Sequence, residues 1–218
     1  MLSDVPSNDP SRDRLLLAAV EIFAERGFRD ATVREICAQA EVNAASVNYY
    51  FGGKEKLYAE ALAFSFQQAN ERYPLGDAFD TNLPTETRLA DFVRVFLHKL
   101  LDDSHLGLHS KLIAREIADP TKALDEIIET AIVPQCALLE EIIQQILGIP
   151  VDGLTLKRCL LSIFGQCLMF KHSRSIIDRL YPELIADESA IQASAEHIAQ
   201  FSIAALTQFV QQKERPTP

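Results

Sequence analysis

Apolar residues recur at helical spacing along almost the whole chain, and no segment alternates in the manner of a half-buried strand. Leu15, Ala19, Ile22 and Phe23 form a first stripe, which stops at Gly27, the residue type that most readily ends a helix. A second helix opens at Thr32. Thr32 and Glu35 have the spacing of a capping box, and Val33, Ile36 and Ala40 follow on one side. A short turn leads to a third helix expected over 44–50, and Gly52 and Gly53 then break the chain before a long helix from Lys54 to about Tyr73. The segment Pro74 to Pro84, with Gly76, Asp77, Asp80 and Asn82, reads as a loop. Longer helices are expected over 85–101, 104–117 and 121–147, the last bent near Pro134, whose nitrogen has no proton to donate. Gly148, Pro150 and Gly153 mark the next break, and helices over 154–180 and 188–212 complete the chain. The final helix carries Ile191, Ala195, Ile198, Ser202, Ala205 and Phe209 on one face, suited to packing against another helix. The fold class is all-α.

Three short helices in succession, the second and third separated by a few residues, describe a helix-turn-helix. In that arrangement the third helix can lie in a DNA major groove while the second crosses the backbone. Helix N-termini present unpaired amides and the positive end of a dipole, so Thr32 and Ser46 are placed to meet phosphates. Lys54, at the start of the fourth helix, offers a charged phosphate contact. Tyr49 offers a phenol donor and an apolar ring edge. Arg34 suits a guanine, because its guanidinium fork matches O6 and N7 together.

Composition supports a folded chain and complicates the DNA reading. The 218 residues are 48% hydrophobic and 24% charged, a globular profile. No apolar run is read as approaching the roughly 20 residues that span a bilayer, and Met1 to Pro10 lacks the features of a signal peptide. A cytoplasmic protein without membrane contact is expected. Cys37, Cys136, Cys159 and Cys167 have no zinc-ligand spacing and read as small buried hydrophobes. The net charge of −10 opposes bulk electrostatic binding of nucleic acid. Residues 1–58 are not basic either, with seven Lys and Arg against nine Asp and Glu, a net of −2. DNA affinity must therefore come from a few placed donors and from two copies acting together, with Glu21, Glu25 and Glu41 turned off the DNA face.

The stretch from Thr32 to Tyr58, T-V-R-E-I-C-A-Q-A-E-V-N-A-A-S-V-N-Y-Y-F-G-G-K-E-K-L-Y, preceded by A-A-V-E-I-F-A-E-R-G-F, resembles the amino-terminal domain of the TetR family of repressors. N-Y-Y-F-G-G-K-E together with R-E-I-A-D-P-T in the second part is similar to the CecR-like branch. The resemblance implies a helix-turn-helix DNA-binding domain over 9–55 and a larger helical ligand-binding and dimerisation domain over 56–213. Carried over by position, it puts Thr32, Ser46, Tyr49, Tyr50 and Lys54 at phosphates, and Arg34, Ala44, Ala45 and Asn48 at or near base edges. It implies a homodimer through the two C-terminal helices on a palindromic operator, released by a small-molecule effector. Two positions depart from the family pattern. Glu41 stands where the family usually has Gly, so it must accept a strained backbone or a different turn. Ala44 and Ala45 replace larger polar residues, leaving thymine-methyl contact as their role.

In the second part, aromatic residues accompany polar neighbours. Helix bundles often enclose apolar cavities with a few polar anchors, and the resemblance implies an inducer site there, for which Phe92, Phe96, His109, Arg115 and Phe164 are candidates. His105 and His109 lie one turn apart, with Glu116 two turns further on, so the alternative reading is a helical metal-dependent enzyme using these three. The preferred reading has no catalytic residue, metal or cofactor.

Overall fold

The computed structural model describes residues 9–102 and 108–213, with His109 and residues 210–213 in backbone alone. The chain forms α1 (Pro10–Asp30), α2 (Val33–Gln39), α3 (Ala45–Phe51), α4 (Lys54–Arg72), α5 (Gly76–Phe79), α6 (Thr85–Leu101), α7 (Leu108–Ala118), α8 (Ala123–Ile127), α9 (Val133–Leu147), α10 (Gly153–His172), α11 (Arg174–Leu180) and α12 (Glu188–Lys213). No strand occurs among the described residues.

Two compact units divide the helices. The first comprises residues 1–69 and 103–129, the second residues 70–102 and 130–218. In the first, Leu15, Ala19 and Phe23 of α1 are buried together with Ile36 of α2, Val47 and Phe51 of α3, Leu57, Ala61 and Leu62 of α4 and Leu112 of α7. The apolar stripe of α1 is thus buried together with the short α2 and α3, the long α4 and α7. In the second, Leu89, Phe92, Val93 and Leu97 of α6 form the centre of a core completed by Leu139, Ile142 and Ile143 of α9, Leu160 and Ile163 of α10, and Ala195, Ile198 and Ala199 of α12.

Helix ends follow local chemistry. Asp9 caps α1, accepting from the Ser11 amide at 2.9 Å. Gly27 interrupts α1 with φ 77 and ψ 173, a conformation essentially closed to residues with a Cβ. Thr32 and Glu35 make the expected capping box at the start of α2. Gly52 adopts φ 75 and ends α3 in the left-handed conformation.

Several elements differ from expectation. The segment 74–84 contains the short helix α5, held by groups further along the chain: Arg88 Nε donates to the Ala78 carbonyl at 2.9 Å, and the Ala78 amide donates to Asp91 Oδ2 at 3.1 Å. The helix expected over 154–180 is broken at Ser173 into α10 and α11. That expected over 121–147 begins as α8 and widens into a π-helical turn over Ile128–Ile132. This turn lies immediately before Pro134, where the regular hydrogen-bond ladder cannot continue. The start of the helix expected at residue 104 lies outside the described residues, and α7 begins at Leu108. Cys37 and Cys167 are buried, whereas Cys136 and Cys159 are only half-buried. Finally, α10 is long and apolar enough by length and composition to cross a membrane, contrary to the sequence reading. Apolar residues occupy its outer as well as its inner surface, with Leu154, Leu161 and Met169 exposed and Leu160, Ile163 and Cys167 buried.

Candidate nucleic-acid interface and effector site

The helix-turn-helix candidates sit on the exposed side of a small packed core. Val47 and Phe51 of α3 are buried, which leaves Ala44, Ala45, Asn48 and Tyr49 exposed and Ser46 and Tyr50 half-buried. Tyr49 is 82% exposed, unusual for an aromatic residue beside a tight core. Its ring meets that of Tyr50 edge-on at 4.9 Å. Arg34 is exposed on α2 and makes no ion pair among the described residues.

Other candidates are already engaged within the protein. The Thr32 hydroxyl donates to Glu35 Oε2 at 2.8 Å and accepts from the Glu35 amide at 3.2 Å. These Thr32 contacts, aided by Arg26, hold the Glu35 carboxyl below its ordinary range. Lys54 donates to the Arg29 carbonyl at 3.4 Å and lies 4.6 Å over the Phe28 ring, which fixes the ammonium at the start of α4. The Tyr50 hydroxyl donates to Asp9 Oδ2 at 2.6 Å. That bond lowers the carboxyl of Asp9 and raises the phenol of Tyr50, each stabilising the protonation state that makes it.

Glu41 adopts φ 55, the one non-glycine residue with positive φ among those described. Of the two outcomes allowed for it, the strained backbone is the one observed. Two positioning residues escaped the sequence reading. Asn43, not Ser46, organises the start of α3: its Oδ1 accepts from the Ala45 amide at 2.9 Å and its carbonyl from the Ser46 amide at 2.9 Å. An Asn just before a helix is a recognisable cap signal. Asp9 joins the first turn of α1 to α3 through Tyr50, and no local pattern could show that.

The segment R-E-I-A-D-P-T, residues 115–121, belongs to the first unit and has a polar role there. Arg115 Nε donates to the Ala24 carbonyl at 2.7 Å and its Nη2 to the Glu25 carbonyl. The two carbonyls lie just before the break at Gly27, where the guanidinium accompanies the interruption of α1. Glu116 is fully buried. Its Oε2 accepts from Tyr58 at 2.7 Å, and its Oε1 from the amide and hydroxyl of Thr121 at 2.8 and 3.0 Å. Arg29 pairs with Asp119 at 2.7 Å. Both Glu116 oxygens are thus occupied. His105 and the side chain of His109 lie outside the described residues, and no metal-ligand cluster occurs among those described.

In the second unit Phe92, Phe96 and Phe164 come together. Ring centroids are 6.2 Å apart for Phe92 and Phe96, 6.0 Å for Phe92 and Phe164, and 4.9 Å for Phe96 and Phe164. Phe92 is buried, while Phe96 and Phe164 are half-buried. Arg115 is not among them.

Comparison with known proteins gives this geometry a setting. Residues 15–61 match the family described as bacterial regulatory proteins of the tetR family, and residues 85–206 match the C-terminal domain of the HTH-type transcriptional dual regulator CecR. The dual regulator CecR of Shigella flexneri is 28% identical over 178 residues, covering 78% of this chain and 79% of its own. The transcriptional repressor NicS of Pseudomonas putida is 27% identical over 196 residues, covering 84% and 85%. A transcriptional regulator from Pseudomonas aeruginosa PAO1 shares the fold with a TM-score of 0.70 at 19% identity over 94% of this chain and 93% of its own. FadR from Bacillus subtilis, solved with stearoyl-CoA, shares it with a TM-score of 0.66 at 20% identity over 88% and 97%. These proteins are transcription regulators and not enzymes, which removes the metal-dependent alternative on His105, His109 and Glu116. The helix-turn-helix in the first unit and the CecR-type domain that follows it make this chain a member of the TetR family of DNA-binding transcription regulators.

Proposed function

We propose that the chain is a ligand-responsive repressor that binds a palindromic operator as a homodimer and leaves it when a small molecule binds. The observation that carries this reading is the exposure of Tyr49, Asn48 and Arg34 on two adjoining short helices whose other faces are buried. Thr32, Ser46, Tyr49, Tyr50 and Lys54 contact phosphates, while Arg34, Ala44, Ala45 and Asn48 read base edges. Residues 9–55 do the DNA binding, and residues 56–213 bind ligand and dimerise.

Dimerisation is supported by an exposed apolar stripe on α10 and by the exposed Phe201 of α12. Leu154, Leu161, Gly165 and Met169 share one face of α10 by helical spacing, and on α12 the apolar Phe201 and Ala204 share a face with the polar His197 and Gln208. Leu161 and Phe201 are 66% and 60% exposed in the single chain. Exposed apolar surface of this kind calls for a partner. A two-fold dimer sets its recognition helices about 34–36 Å apart, one DNA turn.

The effector site is built on Phe92, Phe96 and Phe164. A ligand that prefers one conformation by about 1–3 kcal/mol is sufficient to shift α4 and change the spacing of the two heads. The setting is cytoplasmic, where operator DNA is found. The test is DNA binding by the Arg34→Ala, Tyr49→Ala double variant: steep salt-dependent binding by the native protein and its loss in the variant are expected. Unaltered binding would overturn the proposal.

A further inference from the structure

Two cations are buried among the described residues. Arg88 has a charged partner in Glu141 at 3.1 Å, and its Nε and Nη1 donate to the Ala78 carbonyl and to Gln145. Lys99 has none. Its whole residue is 8% exposed, and its ammonium donates once, to the neutral amide oxygen Oδ1 of Asn70 at 2.7 Å. No carboxylate among the described residues pairs with it. An ammonium out of water is costly unless it is paired and fully hydrogen-bonded, and here two of its three donors have no partner among the described residues. Burial correspondingly lowers the Lys99 ammonium to about 8.

Its position adds the second half of the argument. Phe92, Phe96 and Lys99 follow one another at i, i+4 and i+7 on α6, which places all three on one face of that helix. Phe96 is half-buried, stacks on Phe92 and meets Phe164 edge-on. One helical face therefore carries an aromatic wall and, about one turn beyond it, a buried positive charge without a counter-ion.

We infer that the effector is an amphiphilic organic anion, its apolar body against Phe92, Phe96 and Phe164 and its anionic end on the Lys99 ammonium. This rests on the reading of the aromatic cluster as the effector site. An anion of this kind supplies the missing charge partner, and a neutral compound of the same shape does not. Asn70 then acts as a positioning residue, holding the Lys99 side chain ready.

The test compares two fluorescent probes of nearly equal shape, anilinonaphthalenesulfonate and its uncharged parent phenylnaphthylamine, titrated into the purified full-length protein. A charge-assisted contact in a dry site predicts a preference for the anion of about tenfold or more. Lys99→Met removes the preference, leaving the neutral probe bound as before, and Lys99→Arg retains it. Phe96→Ala weakens both probes. If both probes bind, depend on Phe96 and do so equally well, the Lys99 assignment is overturned while the aromatic site stands. If neither binds, or binding ignores Phe96→Ala, both readings fail. The ratio of the two affinities on the native protein decides the matter even if Lys99→Met does not fold.

Discussion

The phenol of Tyr58 donates a 2.7 Å hydrogen bond to Glu116 Oε2, joining α4 to α7 across 58 residues of sequence, and both residues are buried. Burial first, then the Glu116 carboxyl, keep the phenol far above its ordinary range. α4 is the helix that begins at Lys54, beside the residues proposed to face DNA, so this bond anchors part of the first unit.

Replacing Tyr58 by Phe leaves a Glu116 oxygen buried without its donor. The expected loss is about 1–3 kcal/mol, read from urea unfolding. Combining Tyr58→Phe with Glu116→Gln in a double-mutant cycle separates the coupling from the packing of the ring, and additive losses would refute it.

Gly27 and Glu41 make a pair with opposite signs. Gly27→Ala forces a Cβ onto φ 77 and ψ 173 and brings it to 3.5 Å from the Arg115 guanidinium. It should destabilise by about 1–3 kcal/mol. Glu41→Gly relieves φ 55 at a position where no Cβ is needed. Here a gain of up to about 1 kcal/mol is expected, since the greater freedom of glycine in the unfolded chain offsets part of the relief. A melting temperature that falls for Glu41→Gly would show that its conformation is unstrained.

Much of this was legible in the residues, for a physical reason. The capping box of Thr32 and Glu35, the glycine break at Gly27, the glycine stop at Gly52 and the limits of α6 all depend on neighbours within a few positions. What escaped depends on distant partners. The turn α5 exists because Arg88 and Asp91 hold Ala78 by its backbone. Arg115, proposed from sequence as an effector anchor, donates to carbonyls of α1 some 90 residues earlier. The isolation of Lys99 is likewise a property of packing, since nothing in K-L-L marks a buried charge.

Lys99 also sets a pH dependence. Its ordinary value is 10.5 and its folded value about 8, so between these the unfolded chain binds more protons and stability rises as pH climbs. Below pH 8 both states are protonated and the cost of burial is fully present. The span corresponds to no more than about 3 kcal/mol. Urea unfolding at about pH 7 and about pH 10 should show a smaller rise in Lys99→Met than in the native protein. An equal rise in both would mean that Lys99 is not the group responsible.

The proposed dimer face admits a direct size measurement. Phe201→Glu with Leu161→Glu puts two carboxylates on these faces of α10 and α12, where both residues are exposed in the single chain. Sedimentation should report a dimer for the native protein and a monomer for the variant, with a folded helical signal in each. A dimer that persists places the interface elsewhere.

The central claim is that two exposed recognition helices, related by a two-fold axis, read a palindrome. Selection of bound DNA from a random pool by the purified native protein tests it most directly. The account predicts two inverted half-sites with centres about one helical turn, 10–10.5 base pairs, or a multiple of that apart. Recovery of sequences with no inverted symmetry, or no enrichment over the starting pool, would contradict it.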